Sequence, residues 1–239
     1  MTRPQQLTAK LSDKTVLNEK FTQFSFELAQ PHRLEFSAGQ YISLALPNEK
    51  GERRSYSICS SPENDHGFEI LLDITPMGKA TQYLNNLKFG EEIQFLAPLG
   101  LFTISPELEK KQQPLIFVAT GSGIAPYRSM LADQLQQKRN GAKIILYWGL
   151  RYVQELFWEE EFEEMETAFP NFQFHPTISQ PVPEWTLCRG RVTNCLSVHQ
   201  QPTDADYFLC GSSAMIDDVI KLLHEKNVPK EKIHRELFY

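Results

Sequence analysis

Apolar and polar residues alternate at period two through the first hundred positions. Phe24, Phe26 and Leu28 alternate with Ser25 and Glu27, and Ile42, Leu44 and Leu46 with Ser43 and Ala45. Phe68, Ile70, Leu72 and Ile74 run through Glu69, Leu71 and Asp73, and Ile93 and Phe95 form a shorter set. Successive side chains of a strand point to opposite faces, so this is the pattern of strands with one buried face. Turn residues separate the runs: Ala38-Gly39, Pro47-Asn48, Pro62-Glu63-Asn64-Asp65, Phe89-Gly90 and Pro98-Leu99-Gly100. Several short strands at this spacing predict an antiparallel barrel or sandwich, interrupted by one short helix over 80–87.

The pattern changes over 107–114, which is polar, ends in Pro114 and reads as a linker. Beyond it, apolar runs at 115–119, 144–148, 172–178, 207–210 and 233–238 alternate with helical spacing. Pro126 opens one helix through Met130, Leu131 and Leu135, stopped by Asn140-Gly141; Trp158, Phe162, Met165 and Phe169 line a second, stopped by Pro170. Val192, Cys195, Leu196 and His199 belong to a third, and Met215, Val219, Leu222 and Leu223 to a fourth. Strand–helix alternation predicts a doubly wound α/β domain: a five-stranded parallel sheet with helices on both faces. The expected organisation is a β-barrel domain over 1–107, a linker over 108–114 and an α/β domain over 115–239.

Composition narrows the function. Of 239 residues, 41% are hydrophobic and 23% charged, enough for a real core. A net charge of −6 argues against a nucleic-acid partner, whose binding rests on Lys and Arg neutralising phosphates. Cys59, Cys188, Cys195 and Cys210 show no C-x-x-C pair and no Cys₄ pattern, so four free thiols in a reducing compartment are expected. No histidine has metal-ligand spacing with another His or Cys, and no metal is expected. Met1-Thr2-Arg3-Pro4-Gln5-Gln6 lacks an apolar leader core, and no run approaches membrane-spanning length; a cytoplasmic chain without membrane insertion is the expectation. Glu159-Glu160-Glu161 with Glu163-Glu164 reads as a solvated helix face.

The chemistry concentrates at Thr120-Gly121-Ser122-Gly123-Ile124-Ala125-Pro126. A buried strand, a glycine turn and a helix N-terminus together make an anion site, because orphan N–H groups and the positive end of the helix dipole favour negative charge. The turn departs from a full G-x-G-x-x-G, since Pro126 stands where the third glycine belongs, and no G-K-[ST] follows. Taken alone it is as compatible with a plain tight turn as with a phosphate cradle.

Other segments carry a resemblance. Gly39-Gln40-Tyr41, Arg54-Ser55-Tyr56-Ser57, Gly78-Lys79-Ala80-Thr81 with Tyr83-Leu84, Pro98-Leu99-Gly100-Leu101-Phe102, the Thr120 to Pro126 turn, and Cys210-Gly211-Ser212 leading into Ala214-Met215 occur in this order. In these motifs the chain resembles the ferredoxin–NADP reductase superfamily over essentially its whole length. That resemblance implies a Greek-key barrel for FAD followed by the nicotinamide domain, and hydride transfer from NAD(P)H to the flavin. It implies that Arg54 faces the flavin phosphates, Tyr56 packs on the isoalloxazine and Ser57 hydrogen-bonds near its N5. Gly78, Ala80 and Thr81 form the pyrophosphate turn; Thr120, Gly121, Gly123, Cys210 and Gly211 meet the nicotinamide coenzyme, with Arg151 towards its adenosine end. Glu236 matches a proton-transfer glutamate in position, and Phe238 or Tyr239 is implied to cover the second flavin face. Ser57, Cys210 and Glu236 are thus the implied catalytic residues.

NADP-specific relatives tend to carry Ser-Arg where this chain has Ser179-Gln180, so the resemblance favours NADH or use of both coenzymes, unless Arg151, Arg189 or Arg191 compensates. With no iron–sulfur cysteines, the electrons are expected to reach a separate acceptor: a ferredoxin, a flavodoxin, an oxygenase component or free flavin. The alternative is a non-catalytic flavin- or nucleotide-binding subunit of a larger complex.

Overall fold

The computed structural model describes residues 3–47, 51–75, 77–199, 201–202 and 204–237. Two units emerge from it, Met1–Ile104 with Ala125–Lys138, and Ser105–Ile124 with Arg139–Tyr239.

In the first unit the alternating segments form β1 (Gln5–Val16), β2 (Phe21–Gln30), β3 (Tyr41–Ala45), β4 (Arg53–Ser57) and β5 (Gly67–Asp73), then helix α1 (Lys79–Asn86) and β6 (Glu92–Leu99). The sheet order is β4-β3-β6-β1-β2-β5, and every pairing is antiparallel. A bridge between Ile58 and Ile70 joins the two ends of the sheet and closes the barrel. Its interior is filled by the predicted inward positions, with Phe24, Phe26, Ile42, Leu44, Phe68, Ile70, Ile93 and Phe95 all buried. Phe26 and Phe68 stack at 5.3 Å, and Phe68 meets Phe95 at 4.9 Å.

Two strands escaped the periodicity reading. In β1, Leu7, Ala9 and Leu11 do alternate inward, but the other residues, all polar except Val16, lie outside the core. In β4 only Ser57 is buried, so its pattern carries no period-two signal; its pairing partner β3 makes it a strand.

Helix α2 (Pro106–Lys111) opens the second unit, on the stretch read as a linker. Ser105 caps it by accepting from Leu108 N, Glu107 and Glu109 sit at its N-terminal end, and Lys110 and Lys111 at its C-terminal end. Each charge therefore complements the helix dipole. Strand β7 (Leu115–Thr120) follows, then a 3₁₀ turn over Gly121–Ile124 and α3 (Ala125–Leu131), which continues as a π-helical stretch over Ala132–Gln137. Although α3 follows the glycine turn directly, it groups with the barrel. Arg128 Nη1 donates to Glu69 Oε2 at 2.6 Å, and Tyr127 packs edge-on against Phe102 at 6.0 Å.

The second unit continues with β8 (Ile144–Leu150), α4 (Glu159–Ala168), β9 (Phe172–Ile178), β10 (Cys188–Arg189), α5 (Val192–Val198), β11 (Asp206–Gly211), α6 (Ser213–Glu225) and β12 (Ile233–Leu237). The parallel sheet has the order β10-β9-β8-β7-β11-β12. The five predicted strands are present; the sixth, β10, is two residues long and too short for a sequence pattern. Ile116, Val118, Tyr147 and Leu209 pack with Val192 and Leu196 of α5 and Val219 and Leu223 of α6. No helix among the described residues is long and apolar enough to cross a membrane.

The cysteines differ from expectation. Cys59 and Cys210 are buried thiols outside any disulfide, but Cys188 and Cys195 are joined as a disulfide with Cα atoms 5.7 Å apart. Gly190, at φ +94°, reverses the chain between β10 and α5 and brings the two cysteines together. Spacing along the sequence does not report such a turn.

Candidate functional site

On the barrel, β4 and the head of α1 supply one set of implied residues. Arg54 pairs with Glu52 at 3.6 Å, and Lys79, the first residue of α1, reaches the same carboxylate at 3.2 Å. Both cations are about half exposed, at 50% and 53%, so either can turn towards a ligand. Gly78 stands at the N-cap of α1 with no side-chain cap, and Ala80 and Thr81 are buried behind it. The structure thus gathers two cations and an uncapped helix N-terminus, and the donor set fits a pyrophosphate. Lys79 stands within the quoted Gly78 to Thr81 motif but was given no role of its own, and Glu52 was not singled out; its signal was only its nearness to Arg54.

Two residues beyond Arg54, Tyr56 is half-buried against the barrel core, and Ser57 is 4% exposed. Burial pushes the Tyr56 phenol up to about 12, with Arg54 opposing the shift, so the ring is neutral at physiological pH. A neutral, half-buried aromatic beside a cationic helix head suits a flat apolar ring that carries phosphates. Gly39 serves the frame rather than the ligand. At φ +94°, a Cβ there would lie 2.0 Å from the Phe102 carbonyl oxygen. The Gln40 side chain fixes the same crossing by accepting from Ser37 N and donating to Gly100 O.

At the carboxyl edge of the parallel sheet a second set converges. Register places Ala119, Cys210 and Glu236 side by side on β7, β11 and β12. Thr120 Oγ1 accepts from Ser212 N at 3.3 Å, and Gly121 O accepts from Trp148 Nε1 at 3.0 Å. Open α/β sheets bind ligands at this edge. Gly123 has a role the sequence did not reveal: a Cβ there would fall 2.3 Å from Cys210 O and 2.9 Å from Gly211 Cα. The missing side chain lets the turn rest on the end of β11. At φ +146°, Gly211 likewise leaves no room, since its Cβ would meet Thr120 Oγ1 at 2.3 Å. Burial, with Glu236 alongside, pushes the Cys210 thiol well above its ordinary range.

Arg151 lies beyond β8, exposed, with its guanidinium 5.3 Å over the Tyr152 ring. Gln180 N donates to Arg151 O at 2.9 Å, and Gly190 N to Ile178 O at 2.9 Å, so Gln180, Arg189 and Arg191 belong to the same rim of the sheet. Arg191 pairs with Asp218 at 3.2 Å. Phe238 and Tyr239 lie outside the described residues. The fold also collects three potential metal ligands that sequence spacing did not, with ligand atoms of Cys188, Cys195 and His199 within 4.8 Å of one another.

Comparison with known proteins follows the same division. Residues 8–104 match the family described as oxidoreductase FAD-binding domain, and residues 117–221 the oxidoreductase NAD-binding domain. The chain is 35% identical over 225 residues to a subunit of the Na(+)-translocating NADH-quinone reductase of Psychrobacter arcticus, an alignment covering 87% of this chain and 54% of that protein. It spans about half the length of that subunit and of its counterparts from Pseudomonas and Neisseria. Ferredoxin–NADP reductase B of Sorangium cellulosum is 29% identical over 247 residues, covering 100% of both chains. Among solved structures, the Amycolatopsis cytochrome P450 reductase GcoB superposes with a TM-score of 0.91 at 26% identity, covering 100% of this chain and 71% of that one. A Neisseria gonorrhoeae ferredoxin NADP+ reductase shares the fold, with a TM-score of 0.81 at 19% identity and 100% of both chains covered.

Proposed function

Because the chain belongs to the ferredoxin–NADP reductase superfamily and is an oxidoreductase with an FAD-binding and an NAD-binding domain, we propose that it takes reducing equivalents from NAD(P)H and passes them to a separate acceptor. That acceptor is a ferredoxin, a flavodoxin, an oxygenase component or free flavin. FAD, when bound, supplies the chemistry of accepting a hydride and releasing electrons. The chain's residues bind, orient and exclude water. Arg54 and Lys79 hold the phosphates at the head of α1, and Tyr56 offers its neutral face to the ring system. Ser57 is the hydrogen-bonding group nearest the redox centre. Thr120, Gly121, Cys210 and Gly211 shape the coenzyme's seat at the sheet edge, with Glu236 as the proton carrier beside it.

The observation that carries this reading is the pairing of Arg54 and Lys79 around one carboxylate at an uncapped helix start. It favours retained FAD over flavin taken as a passing substrate. With Gln180 at the rim in place of an arginine, the coenzyme is NADH, or either nicotinamide. The test is anaerobic titration of the purified protein with NADH and, separately, NADPH, read by visible absorbance. A flavin band bleached by one or both supports the reading. A yellow protein that neither coenzyme bleaches removes it in favour of a non-catalytic subunit.

A further inference from the structure

The Cys188–Cys195 disulfide takes no part in the proposed electron relay, yet it sits where it can act on the segment around it. Cys188 lies in β10, which among the described residues pairs with Thr177 and Ile178 of β9, and Cys195 lies in α5. Between β9 and α5, 179–191 has no longer strand or helix of its own. Its internal bonds converge on β10: Trp185 Nε1 donates to Cys188 O at 2.9 Å, and Arg189 Nη2 donates to Pro183 O at 2.8 Å and to Trp185 O. The disulfide adds a cross-link between this segment and α5, beyond the peptide bond by which Arg191 enters the helix.

A histidine is stationed at the bond. His199 Nδ1 is 3.7 Å from Cys195 Sγ, one helical turn along. The ring is held there by stacking on His175 at 4.4 Å and contact with Tyr147 at 5.8 Å. The two sulfurs differ in access, Cys188 being half-buried and Cys195 only 2% exposed. An incoming reagent therefore meets Cys188 first, and Cys195 is the leaving sulfur beside the imidazole.

We propose that Cys188 and Cys195 form a reversible dithiol–disulfide site, exchanged by small-molecule thiols, whose bond fixes the 179–191 segment. The incoming thiolate attacks Cys188 Sγ and the Cys188–Cys195 bond breaks. Its electron pair leaves on Cys195 Sγ, where the His199 imidazole 3.7 Å away hydrogen-bonds the departing sulfur, and the proton given up by the incoming thiol returns to that sulfur through solvent. A second reagent thiol then resolves the mixed disulfide, freeing the Cys188 thiol and releasing the reagent as its own disulfide. Two electrons enter the pair, and two reagent thiols are oxidised. The same segment carries Gln180, Arg189 and Arg191, so reduction also weakens coenzyme binding; this consequence alone rests on the function proposed above.

The experiment equilibrates the full chain with oxidised or with reduced dithiothreitol, removes the reagent under nitrogen and compares the samples. The reduced sample is expected to gain two hydrogens in mass and two alkylatable thiols, mapped to Cys188 and Cys195. Amide exchange across 179–191 is expected to quicken about fivefold or more. His199→Ala is expected to slow the thiol exchange about tenfold while leaving the final thiol count unchanged. The Cys188→Ser and Cys195→Ser variants, each separately, are expected to show the fast amide exchange in both reagents, so one that fails to fold leaves the other to decide. Two thiols already free in the oxidised sample, or equal amide exchange in the two samples, would overturn the proposal. So would a reduced protein that takes up one Zn²⁺ and regains slow exchange, which would make the cluster a metal site. NADH and NADPH titrations of both samples follow. Failure of both coenzymes to bleach the flavin removes the proposed function but leaves the thiol and exchange results standing.

Discussion

Gly123→Ala separates the geometric account of the sheet edge from the reading of the motif as a generic flexible turn. The added Cβ would lie 2.3 Å from Cys210 O, 2.7 Å from Cys210 C and 2.9 Å from Gly211 Cα. All three are backbone atoms of β11, so no rotamer change relieves the overlap. Restoring ordinary contact requires the turn to lift from the strand by about 1 Å. Overpacking of that kind costs about 1–3 kcal/mol. In the proposed function the N–H groups of this turn face the coenzyme, so the same displacement is expected to raise the Kd for nicotinamide nucleotide about tenfold or more. Gly141→Ala is the control. Its Cβ meets only the Gln112 side chain, through Oε1 at 3.2 Å, and a flexible side chain can yield, so its expected effect is within about 0.5 kcal/mol. Urea unfolding gives the stability difference, and titration with NADH gives the affinity. If Gly123→Ala unfolds at the same midpoint as the parent and binds coenzyme equally well, the close-approach argument is wrong.

Other substitutions test other parts. Arg54→Ala should weaken FAD retention about tenfold, read by flavin content after gel filtration, with Lys79→Ala acting in the same direction; full flavin content in both would remove the phosphate role of the pair. Gln180→Arg should shift the ratio of catalytic efficiencies towards NADPH, and an unchanged ratio would mean the position does not face the 2′-phosphate. Burial, reinforced by His199 and Lys143, holds His175 down to about 4, against an ordinary value near 6.5, while its other ring neighbour, Tyr147, is neutral. The unfolded chain therefore binds the proton first, and the stability this histidine contributes, complete above pH 6.5, is lost as pH falls towards 4. For a partly exposed ring this amounts to about 1–2 kcal/mol after solvent screening, and His175→Gln should flatten that part of the stability–pH curve measured by denaturant unfolding.

Much of the architecture was legible because burial imposes periodicity. Strands β7, β8 and β11 coincide with continuous buried runs, since a parallel sheet covered on both faces leaves its central strands no polar side, whereas β9 alternates and β12, at the sheet edge, has no buried residue. What escaped notice lacks that signal. Strand β4 is held by its pairing with β3 rather than by its own burial, and β10 is two residues long. Helix α2 passed for a linker because it has no buried residue at all, and its only signal was capping and charge order at Ser105, Pro106 and Lys111. The disulfide was hidden for a different reason. A separation of seven residues places two cysteines together only if a turn such as that at Gly190 intervenes. The motif residues, in contrast, fall in two groups, one on each unit, although Glu52 joined the first only in three dimensions.

The sheet edge constrains how its cysteine can act. Cys210 has no exposed surface, and desolvation together with Glu236 beside it keeps its thiol protonated at physiological pH. A neutral, fully buried thiol is a poor nucleophile, because the thiolate is the reactive form. The backbone at the same position does something different. Gly123 packs on its carbonyl, Ala119 pairs with it on one side and Glu236 on the other. Cys210 thus contributes packing, as a compact buried side chain on the middle one of three paired strand ends. A residue that matches its volume without a sulfur should therefore retain most of that packing. The reactive chemistry proposed above accordingly belongs to the bound coenzyme and to Glu236, and the part of Cys210 at this edge is a compact side chain on a tightly specified backbone.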